Sequence, residues 1–74
     1  MEFGDILRQL RLERGLSQDE LAALLGTTKQ VISRYETKKR VPRLSVVSDF
    51  AEKLGVPLSA LSGETPLMPP EMLP

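Results

Sequence analysis

Residues 17–34, SQDELAALLGTTKQVISR, read as a helix, a glycine turn and a second helix. Ser17 followed three residues later by Glu20 is a capping box, in which each side chain accepts a hydrogen bond from a free amide of the first turn. Leu21, Ala22 and Leu25 then form one apolar stripe. Gly26 stops this helix where a left-handed residue is wanted, and Thr27 and Thr28 both offer hydroxyls to start the next. In the second helix Val31, Ile32 and Tyr35 share one face. Lys29, Gln30, Ser33 and Arg34 occupy the other.

Outward from this pair, the same rules predict three more helices. Residues 3–14 place Phe3, Leu7 and Leu10 on one face and end at Gly15. Residues 44–54 carry Val47, Phe50, Ala51 and Leu54 at i, i+3, i+4 and i+7 and end at Gly55. A short helix over 57–62 has Pro57 in its first turn and Leu58 and Leu61 inward. No alternating segment is long enough for a sheet. The expected fold is therefore all-α, a compact five-helix bundle over residues 1–63. Residues 64–74, ETPLMPPEMLP, hold four of the six prolines and no helical period, so they read as a tail or linker. Leu67, Met68, Met72 and Leu73 make that tail more apolar than an ordinary linker.

Composition narrows the chemistry. A chain of 74 residues is one domain at most and buries a modest core. It has no cysteine and no histidine, which removes disulfides, thiolate chemistry, the usual metal sites and the commonest general base. No cofactor, metal or catalytic residue is expected. Asp19 and Glu20 are a carboxylate pair at a helix start, where negative charge is favourable, and nothing pairs them with a nucleophile. No apolar run is long enough to cross a membrane and the charged N-terminus has no export core, so a cytoplasmic protein is expected.

The net charge is zero, yet it is sharply partitioned. Residues 1–27 carry three basic and five acidic groups, and residues 44–74 carry one basic and four acidic. Residues 28–43 hold six basic groups, Lys29, Arg34, Lys38, Lys39, Arg40 and Arg43, against Glu36 alone. Local field rather than net charge governs attraction to phosphate. A charged run is most often only a solvated face. This one directly follows a capped helix, a tight turn and a helix whose outer face is long, polar and basic, an arrangement suited to entering the DNA major groove.

Ser17-Gln18 with ELAALLG, the turn Gly26-Thr27-Thr28, Val31-Ile32-Ser33, Tyr35-Glu36, a basic loop ending in Pro42, and Ala51-Glu52-Lys53-Leu54-Gly55-Val56 together resemble the Cro/phage-repressor (XRE-like) helix-turn-helix family. The resemblance covers about residues 5–62. It implies a lambda-repressor-like bundle that binds double-stranded DNA, usually as a dimer. It makes Thr28 the cap of the second helix. It also implies base reading by Lys29, Gln30 and Arg34, with Ser33 close by, and phosphate contacts by Gln18, Thr28, Lys38, Lys39, Arg40 and Arg43. Arg11 and Glu36 resemble a family ion pair that ties the first helix to the end of the third. Where the family commonly has Asn-Gly after the Glu, this chain has Thr37-Lys38. Either Lys38 takes a positive φ or the loop differs.

The expected function is a bacterial or phage transcriptional repressor that occludes a near-palindromic operator as a homodimer, joined through Val56, Leu58 and Leu61. Two other readings stay open: an antitoxin whose apolar tail binds a toxin, and a protein-interaction module on the same fold. A proline-rich end also suits a linker to a C-terminal domain.

Overall fold

The computed structural model describes residues 1–63, which form five helices: α1 Phe3–Glu13, α2 Gln18–Leu25, α3 Lys29–Glu36, α4 Leu44–Leu54 and α5 Leu58–Ser62. The tail 64–74, with its four apolar residues, lies outside the described residues. Among the described residues there is no strand.

The turn between α2 and α3 forms for the reasons its residues supply. The Ser17 hydroxyl accepts from the Glu20 amide at 3.0 Å, and the Glu20 carboxylate accepts from the Ser17 amide at 2.9 Å. Gly26 ends α2 at φ 71°, and the Thr27 amide closes back on the Ala22 carbonyl at 2.9 Å. Thr28 is the cap of α3, its hydroxyl accepting from the Val31 amide at 3.3 Å. Two basic side chains finish helix ends elsewhere, where exposed carbonyls and the helix dipole favour cations. Lys53 reaches the Leu25 carbonyl at the end of α2, and Arg14 reaches the Leu54 carbonyl at the end of α4.

Every helix contributes to a single core. Phe3 and Leu7 from α1, Leu21, Ala22 and Leu25 from α2, Ile32 and Tyr35 from α3, Val47, Phe50, Ala51 and Leu54 from α4, and Leu61 from α5 are all buried. The chain's three aromatics meet there. Phe3 and Tyr35 pack edge to face at 5.2 Å between ring centroids, Tyr35 and Phe50 do so at 6.1 Å, and Phe3 stacks on Phe50 at 6.2 Å. This cluster welds α1, α3 and α4 at one point, in the offset geometries that aromatic quadrupoles favour.

The structure corrects two expectations about α5. The helix starts at Leu58, with Pro57 as its N-cap rather than inside its first turn, and Leu58 is 40% exposed instead of inward. Leu61 is 0% exposed, enclosed by the protomer's own core. It therefore cannot form part of a surface between protomers.

Candidate nucleic-acid interface

The outer face of α3 is built by its period. Ile32 and Tyr35 take the inward positions and Val31 is half-buried, which leaves Lys29, Gln30 and Arg34 exposed on the opposite side. Ser33 is half-buried on the edge of that face. Thr28 is exposed, with its hydroxyl engaged on the Val31 amide.

A polar knot fixes the far end of α3. Glu36 accepts two hydrogen bonds from Arg11, from Nε at 2.8 Å and from Nη2 at 3.0 Å. The remaining Arg11 nitrogen, Nη1, donates to the Leu16 carbonyl at 3.0 Å. Gln18 Nε2 donates to the same Glu36 carboxylate at 3.2 Å. The Arg11 and Glu36 side chains are only 12% and 4% exposed. The Glu36 carboxylate raises Arg11 above the ordinary guanidinium value, against the desolvation that works the other way. The structure thus joins Arg11, Gln18 and Glu36, from α1, α2 and α3, into one network. A part-buried charge of this kind is costly to leave without its partner.

Close backbone packing reinforces the knot. Gly4 lies so near the end of α3 that a Cβ there would sit 1.9 Å from the Tyr35 carbonyl oxygen. Only glycine permits this approach. Sequence reading missed Gly4, whose one signal was a glycine inside an otherwise amphipathic helix.

Beyond α3 the chain turns sharply. Thr37 Oγ1 donates to the Ser33 carbonyl at 2.8 Å, and Lys38 takes φ 62°, the one non-glycine residue in the left-handed region among the described residues. That conformation costs an L-residue about 1–2 kcal/mol. Two bonds hold Lys38 there: its amide donates to the Tyr35 carbonyl at 3.1 Å, and its Nζ lies 3.1 Å from Asp5 Oδ2. Asp5 also accepts from the Glu2 amide at 3.2 Å. The Lys38 ammonium, followed by that amide, holds the Asp5 carboxyl below the usual carboxylate range. Sequence reading passed over Asp5 as well.

Lys39, Arg40 and Arg43 are exposed. The Arg40 guanidinium sits 5.6 Å above the Tyr35 ring, a cation–π contact that steers an otherwise free side chain. Pro42 is buried at the base of the loop, beside Val41, which at 69% is the most exposed large apolar side chain among the described residues. Arg43 caps α4 with its carbonyl, which accepts from Val46 and Val47. The cations at 38–40 and 43 therefore stand on a short, well-braced loop adjoining the exposed face of α3.

Residues 7–61 match a family described as helix-turn-helix (HTH_3). The cryptic phage CTXphi transcriptional repressor RstR of Vibrio cholerae is 35% identical over 63 residues, 85% of this chain and 57% of that protein. The HTH-type transcriptional repressor RghR of Bacillus subtilis strain 168 is 42% identical over 60 residues, 80% of this chain and 44% of that protein. The chain spans about half the length of these curated relatives. The crystal structure of the restriction-modification controller protein C.AhdI from Aeromonas hydrophila superposes with a TM-score of 0.72 at 34% identity, covering 80% of this chain and 86% of that one.

Proposed function

The chain belongs to the helix-turn-helix family, and we propose that it is a sequence-specific double-stranded DNA-binding transcriptional regulator, acting as a repressor by occluding its operator. The observation that carries this reading is the outer face of α3: Lys29, Gln30 and Arg34 are free to reach base edges, with an exposed basic loop alongside. The relatives named as transcriptional repressors support it.

On this reading α3 lies in the major groove. Arg34 offers a bidentate fork to guanine O6 and N7, Gln30 pairs with the N6/N7 edge of adenine, and Lys29 reaches guanine or a phosphate. Ser33 is short enough to let the helix approach. Gln18 spends one amide hydrogen on Glu36 and keeps the second for a phosphate at the start of α2, where unpaired amides and the helix dipole also attract an anion. Thr28, Lys38, Lys39, Arg40 and Arg43 contact backbone, adding affinity without sequence choice.

Two protomers would set α3 in successive major grooves of a near-palindromic site. The pairing surface is assigned to the start of α5, where Leu58 is exposed and Val56 half-buried. The cytoplasm is the place of action on this reading; among the described residues no helix is long and apolar enough to cross a membrane.

Selection of bound sequences from a random duplex library tests the proposal. A single enriched, near-palindromic motif is expected. Arg34→Ala should then cost about 1–3 kcal/mol and relax one position of the motif. Lys39→Ala should weaken all sequences alike and flatten the salt dependence by about one charge. Enrichment of nothing, or indifference to both changes, would overturn the groove assignment.

A further inference from the structure

We infer that Asp5 limits the affinity of this interface: its carboxylate holds the Lys38 ammonium in the free protein and must surrender it to a DNA phosphate on binding. The inference rests on the DNA-binding reading above. Among the described residues Lys38 is the one cation of the loop over 37–43 with a carboxylate at ion-pair distance, Asp5 Oδ2 at 3.1 Å. The pair is open to solvent, with side chains 51% and 34% exposed. Exposed pairs of this kind are weak and exchange readily. A phosphate arriving beside the loop is therefore a competent rival for the ammonium.

The backbone narrows the geometry. Lys38 is pinned at φ 62° with its amide on the Tyr35 carbonyl, so the root of the side chain is fixed and only its outer carbons swing. Asp5 is fixed as well, by the Glu2 amide at the start of α1 and by the tight approach of Gly4 to Tyr35. Exchange thus leaves behind a rigidly placed carboxylate within reach of the loop that receives the phosphate. At ordinary ionic strength the Debye length is about 8 Å, so a charge this close to the contact is not screened away. Asp5 opposes DNA of every sequence equally, because phosphates carry no sequence information. It thereby lowers non-specific binding and leaves base reading by α3 untouched.

The test measures equilibrium binding of the full chain to the selected duplex and to an unrelated duplex across salt, for wild type, Asp5→Asn, Lys38→Gly and the double variant. Asparagine keeps an acceptor for the Glu2 amide and removes only the charge. Glycine relieves the positive φ, so the Lys38 variant folds. Asp5→Asn is expected to tighten binding to both duplexes about threefold to tenfold at low salt and to steepen the salt dependence by about one charge. In the Lys38→Gly background the gain should be clearly smaller, what is left being direct repulsion of the phosphate by the carboxylate, since a double-mutant cycle isolates the coupling through Lys38. Because the expected change is a gain, loss of folding cannot imitate it. An unchanged or weakened Asp5→Asn protein overturns the inference alone, as does an equal gain in both backgrounds, which would reduce Asp5 to bulk charge. A wild-type chain that binds no duplex overturns the DNA reading, and this inference with it.

Discussion

The two ends of α3 are held in opposite ways. At the start, Thr28 supplies one capping hydroxyl, and Lys29 and Gln30 stand in solvent. At the finish, Tyr35 is packed between Phe3 and Phe50, Glu36 carries three hydrogen bonds, and Gly4 brings the backbone of α1 against the Tyr35 carbonyl. A helix that must enter a groove gains from this asymmetry. One end is left free of the protein so that it can meet bases, and the other is fixed so that the direction of entry does not drift. The difference also predicts where substitutions act. Changes at Lys29 and Gln30 should alter recognition and spare folding, while changes to the groups that hold the finish, Glu36 and Gly4, should destabilise the domain.

The sharpest way to break this contrast is at Glu36. Glu36→Ala strands the Arg11 guanidinium at 12% exposure and should cost about 3–5 kcal/mol of stability, read from urea unfolding. Domains of this kind have only about 5–15 kcal/mol in total, so much of the margin would go. Next comes Gly4→Ala, where the added methyl meets backbone rather than a movable side chain. About 3 kcal/mol is expected, at the upper end of overpacking costs, with a matching fall in Tm. If Gly4→Ala were neutral, the close approach of α1 to α3 would be wrong.

The smallest effect is on the acid side. The Ser17 amide, and then its hydroxyl, hold Glu20 below its ordinary 4.5, and Lys38 holds Asp5 below 3.8. Folding depresses both groups, so their contribution is present above those ordinary values and is lost as pH falls through the folded ones. The urea midpoint should drop as pH falls below about 4.5, and Glu20→Gln should soften that drop while keeping the acceptor for Ser17.

Much of this architecture is legible in the chain because it is local. Ser17 with Glu20, Gly26, Thr28 and the stripes of α1 to α4 act over one or two turns, and α1, α4 and α5 match the spans 3–14, 44–54 and 57–62 to within a residue at either end. The role of Arg11 and Glu36 came from a resemblance, since no spacing rule joins residues 25 apart. The approach of Gly4 and the pairing of Asp5 with Lys38 were hidden for the same reason: each depends on how α1 crosses the end of α3, which periodicity does not encode. Leu58 and Leu61 share an apolar pattern, and only the angle at which α5 docks separates the exposed one from the enclosed one.

The aromatic cluster has a practical side. The chain has one tyrosine and no tryptophan, so its ultraviolet fluorescence is governed by a single ring. That ring sits at the root of α3, touches α1 through Phe3 and α4 through Phe50, and lies beneath the Arg40 guanidinium. The protein thus carries its own optical label, placed where separation of any of three helices or a shift of the basic loop would change the signal.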